Sequence, residues 1–425
     1  MLRLASALSL SFVLAACGGE DELVPQVCTD RRAENVPPSD LVDVLVVLDT
    51  TASMTEHAAE VRALAGTLDA SLQTVGRSVA GMDVHLAVVT SDLGAAGVPG
   101  CDTTGDGAAF VGGARCGLDG AFLRDTANGD ARAQNFTGPR EDAIACLLAE
   151  AASTCPVSQP LNAAVRALDA AATANAGFHR PGALLTVLVV TDGDDCSLTS
   201  AGALAVASGN DVEGDVDYQC FAKGSSCSPG NPETPGEHSA CVPRGDLGFA
   251  DPATLVRALE SRGAQWTFVG VVAASPNPVV TTGPAGTRLA PACTTTGGME
   301  RGAAPRLTSI NADTRGRSVI TVCDGALDAL SGAWVGRLAT DLGLPCLDPE
   351  IDRSTCTARL LASPDPGAEV LAASVPACAG GAGVGQLCWD LADVAGPDCP
   401  YGVIVDNGGV VPRGYVEVTC EVPCE

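Results

Sequence analysis

Four stretches of this chain are apolar with almost no polar alternation: Val44–Leu48, Val84–Thr90, Ala183–Val190 and Gln265–Ala273, the last carrying Trp266, Phe268, Val269 and Val271. A strand apolar on both of its alternating faces has to be covered on both, which is how a central parallel strand reads. The segments between them change period. His57, Val61, Leu64, Leu68, Leu72 and Val75 fall at helical spacing before Gly76. Glu141–Ala152 reads as a short helix, and Leu161–Ala176 as an alanine-rich one with Pro160 at its first turn. Asp251-Pro252 opens a helix that runs to Arg262, and residues 318–337 read as a closing helix around Cys323, Leu327, Leu330 and Trp334. Strands alternating with helices predict an α/β domain over residues 41–340. Two long stretches rich in breakers, 94–139 and 196–250, read as insertions that cysteines can bridge. From Asp341 the texture changes to short β-type runs such as Thr357–Leu361 and Tyr415–Cys420. Residues 341–425 therefore read as a small cysteine-rich β module, too poor in aliphatic residues to stand on its core alone.

The first apolar run ends abruptly in Asp49-Thr50-Thr51-Ala52-Ser53. That places a carboxylate and two hydroxyls just beyond the strand's carboxyl end, where ligands bind in open α/β sheets. Hard cations such as Mg²⁺ take oxygen donors of this kind. The same residue types also cap helices, so Ser53 or Thr55 serving as an N-cap is the plainer alternative. The third run ends in Thr191-Asp192-Gly193-Asp194-Asp195-Cys196.

Together the two turns resemble the von Willebrand factor type A family, which carries Asp-x-Ser-x-Ser at the first place and Thr-Asp-Gly at the second. Thr51 stands for the first serine and keeps its hydroxyl. The resemblance implies a Rossmann-like, mostly parallel central sheet with helices on both faces. It also implies an adhesion-type site for Mg²⁺ (or Mn²⁺ or Ca²⁺), built from Asp49, Thr51 and Ser53, with Asp192 acting through water. The family's third position is a threonine in the loop before the next long helix. Here that loop runs from Ser153 to Pro160 and offers Thr154 or Ser158, neither in the family's pattern. A partner protein presenting an acidic side chain would fill the ion's open position. Asp92, Asp194 and Asp195, with the two insertions rising from strand ends two and four, would form the rim that selects it. A site that has lost its metal would leave a structural or assembly scaffold of the envelope.

The amino terminus changes the setting. Met1–Ala16 has one charge, Arg3, and an apolar stretch too short to span a bilayer, so it reads as a signal peptide. Leu14-Ala15-Ala16-Cys17 resembles the bacterial lipoprotein box, which implies lipidation of Cys17 and a protein held to a membrane of the cell envelope, the outer membrane or cell surface. The alternative is an ordinary secretory signal. Residues 17–40, polar and breaker-rich, read as a flexible tether.

A net charge of −27 argues against nucleic acid, which needs a basic face. Nineteen cysteines in an exported chain indicate disulfides. Setting Cys17 aside leaves an even number, enough for nine bridges. Residues 17–340 then hold eleven cysteines and 341–425 hold seven, so at least one bridge should join the two. Cys101 and Cys116 are close enough to pair, and Cys146 with Cys155 could clasp a helix end. Cys220, Cys227, His238 and Cys241 invite a zinc reading, but their spacing fits no standard finger. Asp102–Gly107 begins like a calcium loop, yet the twelfth position is Gly113, so it reads as a turn. No nucleophile elbow, zinc-protease or phosphate-loop motif occurs, and the four histidines stand apart, with His57 expected at the surface. The reading is a binding protein and not an enzyme, an envelope hydrolase being the least expected class.

Overall fold

The structure is a computed structural model that describes residues 27–35, 41–75, 83–128, 131–181, 183–199, 204, 212–228, 230–263, 267–273, 279–282, 288–294, 300–301, 303–312, 317–321, 346–347, 350–362, 367–378, 387–393, 401–406 and 415–423. Met1–Ala16 and Cys17 lie outside them. The apolar runs become strands β2 (Leu41–Leu48), β3 (Asp83–Thr90), β6 (Leu184–Val190) and β7 (Thr267–Ala273), after a first strand β1 (Val27–Asn35). Residues 123–134 add β4 (Leu123–Asn128) and β5 (Ala131–Gln134), and Arg317–Thr321 forms β8. These make a seven-stranded sheet in the order β8-β7-β6-β2-β3-β4-β5.

The expected mostly parallel, Rossmann-like architecture is overturned by the pairing. The five strands β8, β7, β6, β2 and β3 run parallel, but β4 and β5 are antiparallel, so the sheet is mixed. The other five sheets among the described residues are antiparallel, and disulfides occur throughout, not only in a terminal segment. The antiparallel hairpin comes from the stretch 94–139 that reads as loop. Its strands, Leu-Arg-Asp-Thr-Ala-Asn and Ala-Arg-Ala-Gln, are too polar for an apolar pattern to reveal. β8 replaces the start of the closing helix expected over 318–337, because Val319, Ile320 and Thr321 are β-branched and pair with β7. Residues 322–337 lie outside the described ones.

Alternation along β2 explains the layering. Val44, Val46 and Leu48 face α1 (Ala58–Val75) and α2 (Arg140–Glu150), meeting Leu64, Leu68, Ile144 and Leu147. Leu45 and Val47 face the other way, toward Leu161 and Ala164 of α3 (Pro160–Ala167) and Val256 and Leu259 of α5 (Pro252–Gly263). The 196–250 insertion contributes α4 (Val212–Gly224). Helix α3 stops at Ala167, short of the expected Ala176; a separate turn spans Thr173–Asn175.

At the sheet's far end from the candidate site, Asp43 is fully enclosed. It accepts hydrogen bonds from Arg180 N (2.6 Å), Arg180 Nε (2.8 Å) and the His179 ring (3.1 Å), the partners a buried carboxylate needs.

The carboxyl-terminal strands β9 (Asp352–Leu361), β10 (Val370–Ala372) and β11 (Tyr415–Pro423) form a four-stranded sheet with β1 in the order β1-β11-β9-β10. Residues 27–35, expected as tether, thus pair antiparallel with β11 along their whole length. Trp389, Val403, Val416 and Val418 are among the residues of a separate small core there.

Cysteine pairing differs from the expected neighbours. Cys101 pairs with Cys155 and Cys116 with Cys146, because the insertion folds back onto α2 and the loop after it. Cys196–Cys220, Cys227–Cys241, Cys356–Cys420 and Cys378–Cys388 complete the six bridges seen at both ends. Each stays within 17–340 or within 341–425. Cys28 and Cys293 are also disulfide-bonded. Such bridge density marks a chain folded in an oxidising compartment. No helix among the described residues is long and apolar enough to cross a membrane.

Candidate functional site

The parallel strands deliver their carboxyl ends to one place. Asp49 N donates to Val190 O (2.9 Å) and Ser91 N donates to Leu48 O (3.0 Å), so the ends of β2, β3 and β6 are stitched together. Beyond them the backbone must turn, and the turn residues carry the oxygens. Asp49 is 2% exposed; its Oδ1 accepts from Thr51 N (3.0 Å) and its Oδ2 from the Thr191 hydroxyl. Thr51 Oγ1 lies 3.2 Å from Ser53 Oγ, and Ser53 Oγ donates to Asp192 Oδ1 at 2.9 Å. No side-chain bond caps the turn of Ala52–His57 at its N-cap, Thr51, and Thr55 Oγ1 donates back to Ala52 O (2.7 Å).

Asp49, Thr51, Ser53, Asp192 and Ser158 all line one cavity of about 220 Å³. Ser158 is brought in by the loop before α3, where Cys196 N donates to Ser158 O (2.8 Å) and Ser158 Oγ donates to Ser91 Oγ (3.1 Å). Thr154, the other candidate, is turned away: its hydroxyl donates to Gly100 O (3.0 Å). The donor set is two carboxylates and three hydroxyls, oxygen throughout, which fits a hard cation. It is not a carboxylate-rich cage, and no group of three or more His, Cys, Asp or Glu placed to hold a metal occurs among the described residues.

The three rim residues all accept hydrogen bonds within the protein, and of them only Asp194 lines the cavity. Asp92 accepts from Gly94 N (2.8 Å) and from Ser153 Oγ, holding two turns together, and does not line the cavity. Asp194 accepts from the backbone N–H groups of Arg306 (3.1 Å) and Leu307 (2.9 Å) in the first turn of α6 (Pro305–Thr308). Burial pushes its carboxyl up to about 7, against the opposing pull of the Arg306 charge and of these amides. Asp195, fully buried, accepts from Ser197 Oγ (2.6 Å) and from Leu161 N (3.3 Å) at the start of α3.

Two residues escape sequence reasoning. Arg306 is completely enclosed and donates to Asp195 O (2.6 Å), Arg244 O (3.0 Å), Ala250 O (2.6 Å) and Gly224 O, tying the 196–250 insertion to the strand-end loop. A Cβ on Gly224 would approach the Arg306 guanidinium to 3.1 Å, so a side chain there would press on the buried arginine. His57, expected at the surface, is 3% exposed; its Nδ1 is 2.7 Å from Glu60 Oε2 and its Nε2 3.9 Å from Asp192 Oδ2. An unpatterned arginine gave no signal. His57 did have one, four residues after Ser53 and so one helical turn from the donor loop.

The zinc reading fails because Cys220, Cys227 and Cys241 are all oxidised. In the calcium-like stretch, Asp102 Oδ1 accepts from the Thr104 amide (2.7 Å) and the Gly105 amide, a closed turn whose donors also hold the carboxyl below its usual range. Of the two insertions only 196–250 reaches the cavity, through Cys196, Val216, Asp217, Cys220 and Phe221. No described residue of 94–139 lines it. Leu289, Ala290, Pro291 and Ala303 supply lining from a part of the chain given no role by the sequence.

No protein-family profile matches the chain, and no curated protein matches it in sequence. Among solved structures it is similar to the pilus adhesin SpaC of Lactobacillus rhamnosus GG (11% identity, 96% of this chain and 44% of that one, TM-score 0.32). It is similar also to proximal thread matrix protein 1 of the mussel byssus (10% identity, 72% and 49%, TM-score 0.32). A third is the vWF domain of the type V pili tip protein Mfa5 of Porphyromonas gingivalis (14% identity, 71% and 95%, TM-score 0.30). The chain spans about half the length of the first two. At these identities and scores the likenesses decide nothing about what the chain binds.

Proposed function

We propose that this is an exported surface protein that holds a divalent cation, Mg²⁺ or a similar hard ion, at Asp49, Thr51 and Ser53, with Asp192 and Ser158 beside them, and binds an acidic group of a protein partner there. One observation carries the reading: Ser53 and Asp192, 139 residues apart in sequence, meet at 2.9 Å in a cavity that also gathers Asp49, Thr51 and Ser158. A bound ion of this class keeps an open position that a carboxylate can take. The chain's own part is to hold the oxygens in place. Thr191 and the Thr51 amide fix Asp49, and the Cys196–Ser158 backbone bond keeps the third loop at the site. A signal over Met1–Ala16 and a lipid on Cys17 would deliver the protein to the envelope. Cys17→Ser should then leave it without an acyl mass on its amino-terminal peptide, and the same mass in both proteins would sink the anchor.

A metal-free scaffold is favoured by a different observation. Both oxygens of Asp49 already accept hydrogen bonds, so the turn is satisfied without an ion. Electron paramagnetic resonance of Mn²⁺ separates the two readings. The free-ion signal should fall when wild-type protein is added and persist with Asp49→Asn. A signal untouched by wild type would leave the scaffold.

A further inference from the structure

The β4–β5 hairpin carries a second opening, and the pairing register fixes the face on which it lies. Leu123 stands opposite Leu86, and both pack in the core that α1 and α2 cover. Asp125, opposite Val84, shares that side and meets Arg140 of α2 at 2.9 Å. Arg124 and Thr126 alternate to the other side of the sheet. There they line an open cavity of about 550 Å³, together with Asp119, Gln134, Asn135 and Thr137. That volume falls within the roughly 300–1,000 Å³ of ligand sites. No lining residue is shared with the strand-end cavity.

The walls are fixed by the protein's own bonds. Asn135 Oδ1 accepts from Arg124 N (2.7 Å), and its Nδ2 donates to Asp119 O (3.0 Å) and Phe122 O (2.8 Å). Arg124 Nη2 donates to the same Asp119 carbonyl (2.9 Å), and its guanidinium sits 5.9 Å from the centre of the Phe122 ring. The side chains of Asp119, Gln134 and Thr137 are exposed and take no part in this frame. The lining chemistry narrows the occupant. One carboxylate, Asp119, and one guanidinium, Arg124, offset each other, so neither an anion nor a cation is favoured. Phe136 also lines the cavity but is only 7% exposed, and Ala133 adds one methyl, so an aliphatic group finds little wall. Acceptor, donor, amide and hydroxyl together match a neutral molecule dense in hydroxyl groups.

We propose that this face of the β4–β5 hairpin binds a neutral oligosaccharide, with Asp119, Arg124 and Gln134 hydrogen-bonding its hydroxyls. The site stands apart from the metal-dependent reading and needs no ion. A peptide strand adding to β5, the edge of the sheet, is the competing occupant. The polar lining gives the apolar side chains of such a strand no place to pack.

An array of neutral oligosaccharides, with sialylated and sulfated ones and immobilised peptides beside them, tests it on the full chain in EDTA. At least one neutral glycan should be retained, and its acidic counterparts no better. For the best-retained neutral glycan, Asp119→Ala should weaken affinity by about tenfold, the loss of one charged hydrogen-bonding partner, and Gln134→Ala by less. Asp119→Ala removes no bond of the frame, because Arg124 and Asn135 use that residue's carbonyl, so its thermal melt should coincide with that of wild type. Asp49→Asn should bind the glycan as wild type does. Retention of no neutral glycan, retention of peptides or acidic glycans in their place, or equal binding by Asp119→Ala would overturn the inference and leave the strand-end site untouched.

Discussion

Asp49 is almost enclosed, yet it is not strained. Its two oxygens accept from Thr51 and Thr191, so removing it leaves two donors unmatched. Asp49→Ala should lower stability by about 1–3 kcal/mol in urea denaturation, and Asp49→Asn by less. An alanine variant as stable as wild type would mean that repulsion from the neighbouring carboxylates offsets those bonds. His179 makes a second residue-scale case. Its two ring nitrogens face acceptors, Asp43 Oδ2 at 3.1 Å and Arg262 O at 3.2 Å, so the doubly protonated ring satisfies both. The bond to Asp43 raises its pKa above 6.5, outweighing burial. A raised histidine contributes stability that is fully present below its unfolded value and is lost as pH rises through the folded one. Comparing wild type with His179→Gln by denaturant midpoints across that window should show the wild type's advantage shrinking as pH rises. Nearby His85 has its pKa lowered by burial and acts in the opposite sense, so the difference between variants is the quantity to read. An advantage that is flat with pH would reject the pairing. Asp49 and Asp192 were legible in the sequence because each ends an apolar run abruptly. Asp195 was misleading, since a carboxylate in a loop looks solvent-facing until an arginine 111 residues away comes to meet it, whereas Asp194 beside it lines the cavity.

Among elements, the central strands were legible and the edges were not. β2, β3 and β6 are enclosed on both faces, and that burial is what an uninterrupted apolar run encodes. β5 is the edge strand and β4 lies between it and β3, and both are too polar for an apolar run to mark them. The same logic hid the function of the 196–250 insertion. Its composition reads as a loop, but Arg306 binds it to the core at Gly224, Arg244 and Ala250. Arg306→Ala should cost about 3–5 kcal/mol, because it removes the buried cation beside Asp195 and the donor to the carbonyls of Asp195, Arg244 and Ala250, while Gly224 O keeps the Arg244 amide. It should also loosen α4 over the cavity. Chemical denaturation gives the first quantity and amide exchange at Val216–Phe221 the second. A loss under 1 kcal/mol, or unchanged exchange, would show that α4 is held by its disulfide alone.

For the molecule as a whole, the amino-terminal strand closes the carboxyl-terminal sheet. β1 covers the edge of β11 from Val27↔Pro423 to Asn35↔Tyr415. Deleting residues 1–35 should expose that edge and promote self-association, read as a concentration-dependent shift in sedimentation; a monomer of unchanged stability would contradict the structural role of β1. No local pattern signalled this contact, because its two strands stand at opposite ends of the sequence and β1 is largely polar. The central claim, however, concerns the strand-end cavity, and calorimetric titration of the full chain with Mg²⁺, with Asp49→Asn alongside, tests it most directly. The account predicts saturable binding at one site per chain in wild type and none in Asp49→Asn, with both proteins giving the same far-ultraviolet circular dichroism. Equal binding by both, or no binding by wild type, would contradict it.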